Sequence, residues 1–480
     1  MIKQTMQLAF SKPFLLMLFA TGVPVTIQIL MYSSRSIADI VMTANLGEAQ
    51  VAAIGSSARI VFMILMALFG MVNGGAILIA QYWGAKNVDK TRQATAHTLV
   101  LALPIAIFCS TLVFIFAPQI MSFTIKNDPE VVKFGSDYLR IALPAMIFVM
   151  ISMTFTSSLR CVGQSFIGMV FTGIGILTNI VLNYFLIFGV WIFPEMGVKG
   201  AALATLISSV VEALLVVSYI YGSKHFLRIS FKDVMDGFAN DLYKRILKIG
   251  APLSLNSLIW AFGIFMYVVL VGQLGRQALS VLSLVTPIES LLMAFYIGVS
   301  TTASVSVGNA LGANKFDEAW RYSHAFVLWS LIMAVIVSLI IFFSRDFAFI
   351  FFTGISDETK DIAKDVLLML AYVGGFRAIN ITIIVGILRA GGDQKFVLGM
   401  DVFCQWCVGI FITFLCVLYW HLSMFWIFLA INSEEIIKSF ICVWRLSSKK
   451  WINNLVNDDQ DFDAGTNTET AESIILEKNT

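Results

Sequence analysis

GMVNGGAILIAQYWGAKNVD, residues 70–89, returns as GVSTTASVSVGNALGANKFD, residues 298–317. Gly70, Gly84, Ala85 and Asp89 stand opposite Gly298, Gly312, Ala313 and Asp317, each pair 228 positions apart. Further out, the same step joins Pro24 to Pro252 and Leu46-Gly47 to Leu274-Gly275. Leu159-Arg160 returns as Leu388-Arg389, one residue out of step. Both copies lie in apolar sequence long enough to cross a bilayer. A repeated bundle of membrane helices is the ground plan of a secondary transporter, whose substrate site lies between the repeats.

Composition agrees with that reading. The 480 residues are 58% hydrophobic and 13% charged, against roughly 25% charged in soluble domains. Apolar runs of about 20 residues follow one another with little interruption. Net charge is +2 and no basic stripe appears, so the expected partners are the lipid bilayer and small molecules, not nucleic acid. The six cysteines fall in or beside apolar runs, where cysteine behaves as a small hydrophobe. Cys404-x-x-Cys407 has metal-like spacing but no second Cys/His pair nearby, so no metal or redox role is expected. The first apolar run, residues 14–31, continues into further membrane sequence, and no cleavable signal peptide is expected.

Hydrophobic periodicity predicts an all-α polytopic protein of twelve transmembrane helices, six in each repeat. The spans lie near 14–43, 52–81, 94–117, 136–158, 165–188 and 199–221, then 249–271, 280–309, 321–343, 364–388, 396–419 and 422–443. The expected division is an N-lobe (1–222), a cytoplasmic connection (223–248) serving as hinge, a C-lobe (249–446) and a polar tail (447–480). That tail, polar, acidic and poor in aromatics, reads as disordered. With the N-terminus inside, cytoplasmic segments hold about 19 Lys/Arg against about 7 opposite, which places both termini in the cytoplasm. Six spans per half makes the repeats parallel, and the expected location is the inner (cytoplasmic) cell membrane.

Three segments carry a resemblance: GMVNGGAILIAQYWGAKNVDKTRQ (70–93), NIVLNYFLIFGVWIFPEMGVKGAALAT (179–205) and ILRAGGDQKFVLGMD (387–401). Over residues 10–445 the chain resembles the multidrug and toxic compound extrusion (MATE) transporters of bacterial type. The resemblance implies two pseudo-symmetric six-helix lobes around a central cleft, and cation-coupled export of organic compounds by alternating access.

Asp39 is an ionisable group inside a span, which is costly and marks a functional candidate. It could instead pair with Arg35, one turn earlier. Its counterpart in the second repeat is Tyr267, so the charge is one-sided. Asn179 and Asn183, four apart, share a helix face, and Thr205 lies on the sixth span. Asp39, Asn179, Asn183 and Thr205 match residues that resemble the N-lobe cation site of bacterial MATE proteins. One carboxylate with neutral oxygens suits Na⁺, and the carboxylate alone can take H⁺. Helix–helix hydrogen bonding is the alternative use for the two asparagines. Pro24 in the first span is a candidate bending point.

In the second lobe, Trp260 and Arg377 stand where one branch of the family carries acids, so a cation site of that kind is not expected. Glu289, Arg377, Arg35, Tyr267 and Trp260 are the candidates for the substrate cleft or gating; Glu289, opposite Val61, could instead pair with Arg377. The simplest reading of Arg377 and Asp401 is a structural ion pair. Arg160 and Arg389, at loop ends, read as structural or gating residues.

The leading expectation is an antiporter, functional as a monomer, exporting amphipathic or cationic organic compounds against Na⁺ or H⁺ without a resident cofactor. Alternatives are a flippase for lipid-linked or oligosaccharide substrates and an exporter of one natural metabolite. An enzyme is not expected. His97, His225, His324 and His421 are scattered, and no HExxH, GxSxG or P-loop pattern appears.

Overall fold

The computed structural model describes residues 2–43, 46–125, 128–349, 356–420 and 422–456, and among them there are helices and connections but no strands. The long helices are α1 (Lys12–Thr43), α2 (Glu48–Gly84), α3 (Val88–Thr124), α4 (Pro129–Ala142 with Ala145–Cys161), α5 (Ser165–Phe188) and α6 (Val198–Gly222). The second set comprises α7 (Leu242–Gly272), α8 (Arg276–Gly312), α9 (Phe316–Ser344), α10 (Asp357–Leu388), α11 (Gln394–Leu418) and α12 (Met424–Ser447). Ten are long and apolar enough to cross a membrane as single helices. The eleventh, α4, bends by 45° at Leu143-Pro144, where proline supplies no N–H to the helix. The twelfth, α12, is 24 residues long, about 36 Å at 1.5 Å per residue, long enough to cross a hydrocarbon core of about 30 Å. It is less apolar because Glu434, Glu435 and Lys438 stand in its middle.

Two compact units share these helices. The N unit is residues 27–254, and the C unit joins residues 2–26 to 255–456. The boundaries therefore differ from the expected division at 223–248. They fall inside α1 and α7, just after Pro24 and Pro252, at Ile27 and Leu255, which are again 228 apart. Each proline-bearing helix gives its first part to one unit and the remainder to the other.

Glycine contacts explain this membership. In the N unit a Cβ on Gly70 would strike the Ser254 backbone, and one on Gly74 would lie 2.5 Å from Gly250 Cα. In the C unit the equivalent positions meet in the same way. A Cβ on Gly298 would strike Thr26 Oγ1, and one on Gly22 would lie 3.1 Å from Thr302 Oγ1. Small residues let helix backbones approach in this way where lipid offers no hydrophobic drive.

The segment after each sixth helix folds back on its own unit. In the N unit, His225 Nε2 lies 2.8 Å from Gln164 Oε1 and Phe226 stacks on Trp83 at 5.1 Å. In the C unit, Trp451 is fully buried, with Nε1 donating to Leu446 O at 3.0 Å. Asn453 donates to Gly391 O, and Asn454 donates to Gly312 O and Asn314 Oδ1. Residues 448–456 are therefore a packed strap, not part of a disordered tail. The rest of the expected tail, 457–480, lies outside the described residues.

The connection 223–248 is also more than a bare hinge. It holds a helix, Phe231–Ala239, with a Ser230–Asp233 capping box. Arg92 Nε donates to Asp233 Oδ1 at 2.6 Å, and His97 Nε2 meets Val234 O at 2.9 Å. These contacts dock the helix on α3.

Candidate functional site

Within the N unit, α1 turns Gln28, Tyr32, Arg35 and Asp39 toward its partners at steps of four, three and four, which is one helix face. Opposite stand Thr172, Asn179 and Asn183 on α5, and Thr205 and Glu212 on α6. Asn183 Nδ2 donates to Asp39 Oδ1 at 2.5 Å and to Asn179 Oδ1 at 3.3 Å. Arg35 Nε lies 3.8 Å from Asp39 Oδ2, and its Nη2 donates to Thr205 Oγ1 at 3.2 Å. The structure thus brings Asp39, Asn179 and Asn183 into contact and adds Thr205 through Arg35. Asn179 and Asn183 are essentially buried, yet Asn179 Nδ2 and Asn183 Oδ1 have no hydrogen-bond partner. Leaving buried amide groups unpaired costs about 1–3 kcal/mol each, so the pair holds one spare acceptor and one spare donor for another state of the site.

The same face continues to a second carboxylate. Gln28 Nε2 donates to Thr172 Oγ1 at 2.8 Å, and Thr172 donates on to Glu212 Oε1 at 2.8 Å. Tyr32 stands on the same α1 face between Gln28 and Arg35. Arg160 donates to Ser157 Oγ at 3.2 Å. Sequence reasoning overlooked Glu212 because it follows an apolar run. The spacing of Gln28, Tyr32, Arg35 and Asp39 was the available signal, since a polar face on α1 requires polar groups opposite it.

The C unit is built differently. Arg377 on α10 ion-pairs with Glu289 on α8. The expected pairing of Arg377 with Asp401 is corrected: Asp401 accepts from Asn256 Nδ2 at 3.0 Å and lies 3.4 Å from Lys438 Nζ. Asn256 is held in turn by Arg389, whose Nη2 donates to its Oδ1 at 2.7 Å. Lys438 Nζ lies 3.8 Å from Glu434 Oε1, and the Tyr267 hydroxyl donates to Glu434 Oε2 at 2.9 Å. Asn380 Nδ2 donates to Glu435 Oε2 at 2.6 Å, with Ser439 donating to Asn380 Oδ1.

Tyr267 is therefore a buried hydrogen-bond donor to a carboxylate. Trp260 is 42% exposed and contributes its backbone carbonyl, which accepts from Gln405 Nε2. Glu434, Glu435 and Lys438 were missed because α12 was identified as a span by its apolar flanks. Their own pattern, Glu434 and Lys438 one turn apart, was readable as an intrahelical pair. Pro24 lies inside α1, which continues through it.

Comparison with known proteins agrees with this architecture. The MatE family model matches residues 24–185 and again 252–415, the two matches starting 228 residues apart. An uncharacterised Bacillus subtilis transporter, YisQ, is 25% identical over 91% of this chain and 94% of its own length. A probable multidrug resistance protein NorM of Thermotoga maritima is 26% identical over 83% and 84%. Among solved structures, an outward-facing multidrug resistance MATE transporter superposes with TM-score 0.83 at 20% identity, covering 92% of this chain and 98% of its own. The bent form of the Vibrio cholerae MATE transporter VcmN gives 0.81 at 16%, covering 94% and 100%. These likenesses show the fold, and the repeated match to the family model shows the lineage. This multi-pass membrane protein, a transporter and not an enzyme, belongs to the MATE family.

Proposed function

We propose that the chain is a proton-coupled antiporter that exports amphipathic, often cationic organic compounds across the cytoplasmic membrane by alternating access, with both termini inside. Arg35 is the observation that favours the proton. Its guanidinium gives Asp39 a resident positive partner and occupies Thr205 as well. A Na⁺ ion bound to the same carboxylate would sit near that guanidinium. At about 4 Å and an effective dielectric of about 20, the repulsion is ~4 kcal/mol. Asp39, Asn179 and Thr205 also already accept from Asn183 or Arg35. A proton meets neither obstacle. It cancels the charge of Asp39, frees Arg35, and leaves Asn183 facing a neutral acid. Loading at Asp39 then alters the packing of the α1 face and is relieved by bending at Pro24, fifteen residues earlier in the same helix.

The Lys/Arg bias supports the orientation. The relatives named for multidrug resistance support the substrate class. A surface supplied from 21 Met and 40 Phe suits apolar ligands of varied shape. Glu289 lies against Arg377 as a neutral pair, so it is assigned to holding α8 on α10 and not to attracting a cationic substrate.

The test is dye efflux from proteoliposomes under an imposed pH or Na⁺ gradient. Wild type is expected to respond to the pH gradient, and Asp39→Asn to lose that response while remaining folded. Efflux driven by Na⁺ alone would reject the proton, and wild-type efflux by Asp39→Asn would reject the site.

A further inference from the structure

The interior cluster of the C unit contains four carboxylates, Glu289, Asp401, Glu434 and Glu435, and three cations, Arg377, Arg389 and Lys438. An uncompensated charge inside a membrane protein is expensive. The cluster as drawn from its side chains is one positive charge short. We propose that a proton makes up the difference and that Glu434 is the group that binds it, giving the C unit a proton site of its own, separate from Asp39.

The hydrogen bonds single out Glu434. Glu289 is in direct contact with the Arg377 guanidinium. Glu435 is only half-buried and accepts from the Asn380 amide at 2.6 Å. Asp401 accepts from Asn256, which Arg389 orients, and has Lys438 at 3.4 Å. Glu434 is 7% exposed and, among the described residues, receives a hydrogen bond only from the neutral phenol of Tyr267, with Lys438 3.8 Å away. A phenol serves both protonation states, because it donates to a carboxylate and accepts from an acid.

Every charged or titratable neighbour bears on that proton. Tyr267 faces Glu434 from α7; Arg377, backed by Glu289, faces it from α10; and Asp401 and Cys404 do so from α11. Glu435 and Lys438 flank it on α12.

The geometry also supplies a way to release the proton. Lys438 and Glu434 ride on one helix, and Asp401 on another. Asp401 stands two residues before a π-helical segment, Phe403–Ile410, and Arg389 directly follows a second, Thr382–Leu388. π segments inside helices are frequent at functional sites. If α11 moves so that Asp401 leaves Lys438, the ammonium turns to Glu434 and the carboxyl gives up its proton.

The proposal is tested on purified full-length protein in lipid nanodiscs by infrared spectroscopy and thermal melting. Wild type at neutral pH is expected to show the C=O stretch of a buried protonated carboxyl, which Glu434→Gln removes and Asp39→Asn leaves in place. Glu434→Gln replaces a neutral acid by a neutral amide, so its melting temperature should stay at the wild-type value. Asp401→Asn removes a real carboxylate from Lys438 and should melt several degrees lower. Absence of the band in wild type, its survival in Glu434→Gln, or a fall in melting equal to that of Asp401→Asn would each overturn the assignment. Should Glu434→Gln fail to yield folded protein, Tyr267→Phe decides. Loss of the phenol must move the band, and an unmoved band overturns the proposal.

Discussion

The N unit and the C unit descend from one repeated sequence, yet they treat buried charge in opposite ways. In the N unit two carboxylates, Asp39 and Glu212, stand with two guanidiniums, Arg35 and Arg160, among neutral amides and hydroxyls. Charge there is sparse and balanced, and adding one cation tips it. In the C unit the ionic groups are crowded, cross-braced over α7, α8, α10, α11 and α12, and short of one positive charge. Both described π segments belong to this unit. Similar backbones can therefore hold a light switch on one side and a dense ionic lattice on the other, the difference residing in a few interior side chains.

The largest expected effect separates those two designs directly. Lys438→Met breaks a buried pair and should destabilise the protein by about 3–5 kcal/mol. Arg35→Gln removes the cation from a pair that is 21% and 34% exposed, and should cost about 1 kcal/mol or less. Melting of both variants in the same nanodiscs checks the contrast, and equal losses would break it. Arg35→Gln sharpens it further. With the resident cation gone, a Na⁺ gradient should begin to drive dye efflux, measured as the ratio of Na⁺-driven to pH-driven rates.

A smaller effect tests what the units share. Gly70→Val and Gly298→Val each force a side chain into a backbone contact. Each should cost about 1–3 kcal/mol, the usual penalty of overpacking. Gly375→Ala, which meets nothing within 4 Å, should be neutral. Unequal losses at Gly70 and Gly298, read from thermal melts, would show that the two copies of the contact have diverged. The smallest effect is expected at the inner end of the N-unit face. Thr172→Val deletes the hydroxyl between Gln28 and Glu212, a net change of about 1 kcal/mol. It should slow efflux without abolishing its dependence on the pH gradient.

Much of this was legible in the sequence, and the exceptions have physical reasons. The 228-residue step foretold paired folds, and the structure repeats that step down to individual glycine contacts. Asp39, Asn179 and Asn183 were readable because polar groups in apolar spans are rare. Glu434, Glu435 and Lys438 escaped because a span recognised by average hydropathy conceals charges that neutralise one another. The partner of Arg377 stayed open between Asp401 and Glu289, since sequence spacing fixes neighbours on one helix, not between helices. The compact units also divide elsewhere than composition alone suggests. Composition favours a break in the polar connection, whereas the chain changes units inside helices at two prolines.

The strap after α12 carries a mechanical consequence. Asn453 and Asn454 fasten the end of α8 to the Gly391 turn, and Trp451 pins both to the end of α12. Helices stapled at one end behave like the ribs of a fan: they can spread only at the other. A reporter fused beyond Val456 keeps that rivet in place. A truncation before Trp451 removes it, and the ribs then splay from both ends.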